Sequence, residues 1–275
     1  MKLRVLLLTM SLCVSATTAL GSFEHRGPDA RVEAMGGAGV ALANNPFGLF
    51  YNPASGNFGN NLSAGISYAV PFGNNALDSF YGVIDTGRLP FDRNGSAAIS
   101  CQYYGSSLYR ETSTFFTYST KLAGPVHTGI SAGLLERDAV DTGSESALGI
   151  NLGALAFLSP DLNLGVAFFN VNRPDTGDGG EKAPFTTLAG TSYRPVDAIV
   201  LAAGVEKQED KEIRLRSGGE VRVISSLTLR AGFTTAPSTF SGGAGFTFKN
   251  FQADFSLVRH PELGTGSWYT VRASF

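Results

Sequence analysis

Apolar and polar residues alternate with a period of two along most of this chain. Leu62, Ala64, Ile66, Tyr68 and Val70 occupy one set of positions, with Ser63, Gly65, Ser67 and Ala69 on the other. The rhythm returns at Ile130–Leu134, Leu148–Ala154, Leu162–Phe168, Leu227–Phe233 and Phe251–Leu257. Successive side chains of a β-strand point to opposite faces, so this is strand patterning. One face is aliphatic or aromatic; the other is Gly, Ser, Thr, Asn or charged. A soluble β-sandwich also alternates, but sets a charged outer face against its core. The small polar residues here fit the crowded interior of a barrel whose apolar face meets lipid.

The pattern predicts fourteen strands, near 62–70, 78–86, 96–104, 111–121, 126–136, 146–158, 162–171, 184–194, 198–207, 211–223, 226–234, 239–248, 250–259 and 266–275. The expected fold is an all-β, closed antiparallel transmembrane barrel. Most strands reach the ~9–11 residues that a tilted strand needs to cross a bilayer. Even-numbered connections read as tight turns (Gly124-Pro125, Ser159-Pro160-Asp161, Pro195-Val196-Asp197, Ser225, Lys249-Asn250). Odd-numbered ones, at 71–77, 137–145, 172–183 and 260–265, read as longer outer loops. The second connection, around Arg88-Leu89-Pro90-Phe91, breaks that rule, and 208–210 and 235–238 are short for outer loops.

Composition sharpens the picture. Charged residues are 16% of the 275, below the ~25% usual in soluble domains. Mean hydropathy is +0.05, yet no apolar run is long enough for a membrane helix. A net charge of −2 does not suggest a nucleic-acid partner. Lys2 and Arg4, the apolar stretch Val5–Val14 and Ala19-Leu20-Gly21 read as a secretory leader cleaved after Gly21. Only Cys101 would remain after cleavage, which leaves no intrachain disulfide or cysteine metal framework. The alternating last strand, with Tyr269, Val271, Ala273 and Phe275 on one face, reads as a signal to the barrel assembly machinery.

Residues 22–61 lack the alternation. Asp29 is placed to cap a short helix, which Gly36, Gly37 and Gly39 end. Pro46 and Pro53 favour compact turns, and Asn44, Asn45 and Asn52 can satisfy backbone groups. The stretch Ala30-Arg31-Val32-Glu33-Ala34-Met35-Gly36-Gly37-Ala38-Gly39-Val40-Ala41-Leu42-Ala43, then Asn45-Pro46 and Leu49-Phe50-Tyr51-Asn52-Pro53-Ala54, resembles the N-terminus of the PorV/PorQ proteins. These belong to the FadL-like superfamily of outer-membrane transporters of hydrophobic compounds. The resemblance implies a bacterial outer-membrane barrel with residues 22–61 folded into its lumen as a hatch, Asn52, Pro53 and Ala54 matching the hatch motif. It implies either passive movement or binding of a hydrophobic small molecule, or, in the PorV/PorQ branch, a partnership with secretion or surface-assembly components. The chain is short for either branch, and its outer loops are too small for a large hydrophobic capture groove.

Phe47, Leu49, Phe50 and Tyr51 could line an apolar path or simply pack the hatch; both readings stay open. By alternation Arg214, Arg216, Glu220, Arg222, Arg230, Asp254 and Arg272 point into the lumen. They would form a partly cationic channel, or a network that braces the wall and anchors Asp29 and Glu33; the second is the better supported, because barrel lumens routinely carry such charges. Gly242, Gly243 and Gly245 could weaken the wall enough for a side opening. The histidines His25, His127 and His260 form no catalytic motif, and no Gly-x-Ser-x-Gly, His-Glu-x-x-His or phosphate loop occurs. No enzyme activity, cofactor or metal is expected; a barrel-bound hydrolase is the weakest alternative.

Overall fold

The computed structural model describes residues 22–43, 45–56, 62–74, 77–140, 143–177 and 181–275. The expected leader and Asn44 lie outside them. Fourteen strands close into one antiparallel barrel. In chain order they are β1 (Ser63–Val70), β2 (Asp78–Arg88), β3 (Gly95–Gly105), β4 (Tyr109–Ala123), β5 (Val126–Ala139), β6 (Gly143–Ser159), β7 (Leu162–Phe169), β10 (Thr186–Val196), β11 (Ile199–Gln208), β12 (Arg214–Ile224), β13 (Leu227–Thr234), β14 (Thr239–Phe248), β15 (Phe251–His260) and β16 (Gly264–Ser274). A small hairpin, β8 (Asp175–Gly177) and β9 (Glu181–Lys182), sits in the connection between β7 and β10. β1 pairs with both β2 and β16, which closes the cylinder and leaves no free edge.

The alternation has the expected sense. Ile66, Ile84, Ile99, Phe116, Leu148, Leu215, Phe240, Tyr269, Val271 and Phe275 are exposed on the outer face. Ser67, Ser100, Ser113, Thr117, Ser131, Asn151, Ser192 and Thr270 are buried on the inner face. Cys101 is exposed on the outer wall. An outward apolar band would be unstable in water and is stable against acyl chains.

One end carries two-residue turns at 124–125, 160–161, 197–198, 225–226 and 249–250, plus the connection 89–94. That last connection is shorter than the sequence suggested, because β2 continues through a bulge between Asp85 and Arg88. Asp92 pins it, accepting from the Tyr118 and Thr120 hydroxyls at 2.5 and 3.1 Å. Those bonds hold the Asp92 carboxyl below its ordinary range.

At the opposite, loop end, the loops expected at 137–145 and 260–265 contract to 140–142 and 261–263. β5 and β6 carry on past the apolar band because their polar ends still pair: Arg110 meets Asp138 at 2.7 Å, and Arg137 meets Glu145 at 3.6 Å. β4, β5 and β6 are therefore the longest strands, at 15, 14 and 17 residues.

The proposed weakness at Gly242, Gly243 and Gly245 is overturned. β14 pairs with β13 and β15 without a register shift through all three glycines. A Cβ on Gly243 would meet Phe255 O of β15 at 2.3 Å and Ala34 at 2.8 Å, so this glycine gives clearance to its neighbour strand and to the N-terminal segment rather than a gap in the wall.

Candidate functional site

Residues 22–43 and 45–56 occupy the lumen. α1 (Ala30–Ala34) starts at Asp29, whose side chain accepts from Arg31 N at 3.0 Å. Gly36 and Gly37 then turn the chain at φ +67° and +73°, where a side chain would be strained. Gly36 is also tied to the wall, donating to Ser241 Oγ at 3.1 Å and accepting from Thr234 Oγ1 at 2.8 Å. Gly39 leaves room for Val32 and Tyr51. Two 3-10 turns follow, Pro46–Phe50 and Pro53–Ser55, each opened by an asparagine whose side chain accepts from the backbone two residues on.

Asn52 is wholly buried and fully used. Its amide donates to Val40 O at 2.8 Å and to Ala154 O of β6 at 3.0 Å, while its Oδ1 accepts from Ala54 N at 3.0 Å. Pro53 O accepts from Ser119 Oγ at 2.6 Å. The motif Asn52-Pro53-Ala54 is thus a staple between segment and wall.

The small residues of the inner face have a specific cause. A Cβ on Gly129 would lie 2.1 Å from Pro53 O, and one on Gly153 2.1 Å from Asn52 Oδ1. On the other side of the barrel, Gly218 and Gly232 make way for Met35. The wall is glycine-rich where the lumen segment touches it.

Six of the seven lumen charges read from the sequence form two networks. In the first, Arg31 makes a two-pronged contact with Glu220 (2.6 and 2.9 Å). Arg230 bridges Glu220 and Asp254 at 2.9 and 2.8 Å, and Arg272 bridges Asp254 and Asp29 at 3.6 and 3.3 Å. In the second, Glu206 holds Arg214 at 2.9 Å and also pairs with Arg216. Asp29 is anchored by the wall as expected. Glu33 is not: no ion pair to it occurs among the described residues, and its contact is the Tyr51 hydroxyl, donating at 3.1 Å. Burial pushes the Glu33 carboxyl above its ordinary value, opposed by Arg216 and that hydroxyl. The segment offers the wall two bases, Arg31 to Glu220 and Arg26 to Glu111. Arg222 points inward but joins no ion pair among the described residues; it faces an open vestibule at the turn end, with Arg31, Glu220, Arg230, Lys249 and Arg272.

The apolar residues of the segment divide. Phe47 packs on Ala69, Tyr81, Val83 and Ala98 of the wall, and Tyr51 on Val32, Met35 and Leu42. Leu49 and Phe50 face a chamber of about 70 Å³ on the loop side of the segment. Phe23, Phe115, Phe169 and Leu135 line it with them, together with Ser100, Gln102, Ser113, Thr117, Ser131 and Asn151. The chamber and the vestibule have no lining residue in common. At its rim Arg26 meets Glu111 at 2.6 Å and stacks 3.6 Å over the Tyr104 ring. Burial works against the Arg26 cation, yet Glu111 holds it above its ordinary value. Arg26, Glu111 and Glu206 were not read from the sequence, and His25 was given no place in the lumen. The strand parity that placed Arg214 inward also places Glu111 and Glu206 inward, so the signal was present.

No protein-family model matches the chain, and no curated protein sequence does. Solved structures match in fold. The Ralstonia pickettii toluene transporter TbuX is 17% identical, with 92% of this chain and 97% of TbuX covered at a TM-score of 0.63. The monoaromatic hydrocarbon channel CymD is 13% identical over 92% and 98%, at 0.65. A Pseudomonas aeruginosa FadL homologue is 12% identical over 93% and 99%, at 0.66. Such identities establish shared architecture and nothing finer: the fold is the FadL-like closed barrel.

Proposed function

We propose that this chain is a bacterial outer-membrane channel for small hydrophobic molecules, with residues 22–61 as its hatch. The observation that carries the reading is the loop-side chamber, walled by Phe50, Phe115 and Phe169 inside a cylinder that is apolar outside. The similarity in fold to hydrocarbon channels supports it. Taking the turn end as periplasmic, a guest would enter among the loops and dissolve in the chamber. It would leave when the hatch yields, moving down its own gradient. Binding rests on apolar contact in a concave site. Uptake of a radiolabelled monoaromatic compound into proteoliposomes tests this. Entry that exceeds protein-free vesicles and vanishes on filling the chamber with Ser131→Phe supports transport; entry equal to protein-free vesicles refutes it.

A second reading, the PorV/PorQ-like secretion partner, is favoured by the separation of chamber from vestibule and by the short outer connections. It predicts stable co-purification with secretion components from native membranes and no ligand in the lumen.

A further inference from the structure

We propose that the chamber selects compact, neutral aromatic molecules bearing a hydrogen-bonding substituent, phenols being the simplest, over bare hydrocarbons, and that Gln102 and Ser113 set that selectivity. The inference rests on the transport reading and deepens it.

The chamber has two unlike walls. Phe23, Leu49, Phe50, Phe115, Leu135 and Phe169 offer apolar surface. Facing the same space, Gln102 of β3 and Ser113 of β4 are direct register partners, with Ser100 one inward position along β3. The side chains of Ser100, Gln102 and Ser113 make no hydrogen bond among the described residues, and their polar atoms are open to the chamber rather than sealed. Thr117, Ser131 and Asn151 Oδ1 are occupied, which leaves Asn151 Nδ2 as a further neutral donor. Thr117 and Ser131 bond each other at 2.7 Å, and Asn151 accepts from Asn170 N at 2.9 Å.

The charged groups of the lining are also spoken for. Arg26 pairs with Glu111 and Glu24 with Lys211 at 2.5 Å, while His25 contacts Phe50 O through Nε2 at 2.9 Å and faces Glu206 through Nδ1 at 3.7 Å. The unused groups are therefore neutral donors and acceptors, which match a hydroxyl, amine or nitro group rather than a carboxylate. A hydrocarbon seated here would strip water from Gln102 and Ser113 and give nothing back, whereas a phenol replaces that water. Sites built to bond a substrate hydroxyl discriminate strongly against the analogue that lacks it.

Size narrows the class further. About 70 Å³ is near half of the ~150 Å³ apolar cavity that takes benzene. One ring enters when Phe50, half-buried at the floor, turns aside; fused rings and long chains exceed the space.

The test is calorimetric titration of the full-length protein in nanodiscs with phenol, toluene and benzoate, empty nanodiscs subtracted. The expected result is phenol binding about tenfold tighter than toluene, as one buried hydrogen bond corresponds to roughly a factor of ten. In Gln102→Leu/Ser113→Ala, checked for an intact heat-resistant barrel, that preference disappears while toluene affinity holds. Toluene binding as tightly as phenol, or benzoate binding tightest, overturns the selectivity while leaving the channel reading standing. No binding of any of the three, with the Phe50→Ala protein equally silent, overturns both.

Discussion

The inner-face glycines are clearances for the lumen segment, and Gly129→Ala tests that idea where it is sharpest. The added Cβ would sit 2.1 Å from Pro53 O, 2.3 Å from Pro53 C and 2.7 Å from Ala54 N, all backbone atoms without a rotamer to escape into. The turn 52–55 must shift by about 1 Å or undock, a cost on the order of 1–3 kcal/mol for overpacking. Among the described residues two hydrogen bonds hold it to the wall, Asn52 Nδ2 to Ala154 O and Ser119 Oγ to Pro53 O. At ~1 kcal/mol net each they favour docking by roughly thirtyfold. A wedge worth about 2 kcal/mol brings docked and undocked forms near parity. The barrel itself does not suffer, since alanine in a strand is better than glycine by roughly 0.5–1 kcal/mol. The assay is the labelling rate of Ser55→Cys, a buried position, by a water-soluble maleimide in a Cys101→Ser protein. Labelling should rise about tenfold with Gly129→Ala, as the undocked fraction grows from a few per cent to about half. It should stay unchanged with Gly242→Ala, where a Cβ would meet nothing closer than 3.6 Å. Equal labelling in all three proteins would refute the clearance argument.

Four further outcomes follow from the same structure. Asn52→Ala strands Val40 O and Ala154 O, so undocking should become easier by about 2–3 kcal/mol, read as higher conductance across planar bilayers. Arg230→Met leaves buried Asp254 with Arg272 as its one cation among the described residues and should lower stability by roughly 3–5 kcal/mol, seen as a lower unfolding midpoint in urea. Glu33 has a folded-state pKa above its ordinary value because of burial, so its ionisation opposes folding. Its contribution is fully present below the unfolded value and is lost as pH rises through the folded one. Thermal stability of the lumen segment should therefore fall across that window, and Glu33→Gln should abolish the slope. Ile99→Arg places a charge on the outer face and should destabilise the barrel by ~2–4 kcal/mol in bilayers, measured by urea titration in lipid vesicles.

The barrel was legible because its code is local. Period-two alternation from Leu62 to Val70 needs no distant partner to be read, and the parity that sends Ile66 outward sends Ser67 inward. The same parity aims Arg214, Arg216, Glu220, Arg230, Asp254 and Arg272 inward, where they meet one another in ion pairs. What the chain does not display is which surfaces approach which. A run such as Gly242-Gly243 reads equally as a hinge in a wall or as room for a neighbour, and only the atoms beside Gly243, Phe255 O and Ala34, decide. Glu33 lies close to Asp29 in sequence, yet α1 turns one toward Arg272 and the other toward Tyr51. The loop boundaries at 137–145 failed because cross-strand ion pairs extended β5 and β6 with residues that resemble loop. The chamber was invisible for the same reason: Gln102 and Ser113 are polar inward residues like many others until Phe50 and Phe169 are set opposite them.

The account stands on grease outside and a filled lumen within, and the single tryptophan reports on it directly. Trp268 is half-buried on the inner face, donating to Gly27 O of the lumen segment at 3.1 Å. Phe255, on β15, faces outward. Reconstituted in lipids with brominated acyl chains, the wild-type protein should show almost no quenching. A Trp268→Phe/Phe255→Trp protein should be strongly quenched. Strong quenching of Trp268 with protection at position 255 would place the apolar face at the axis and contradict the account.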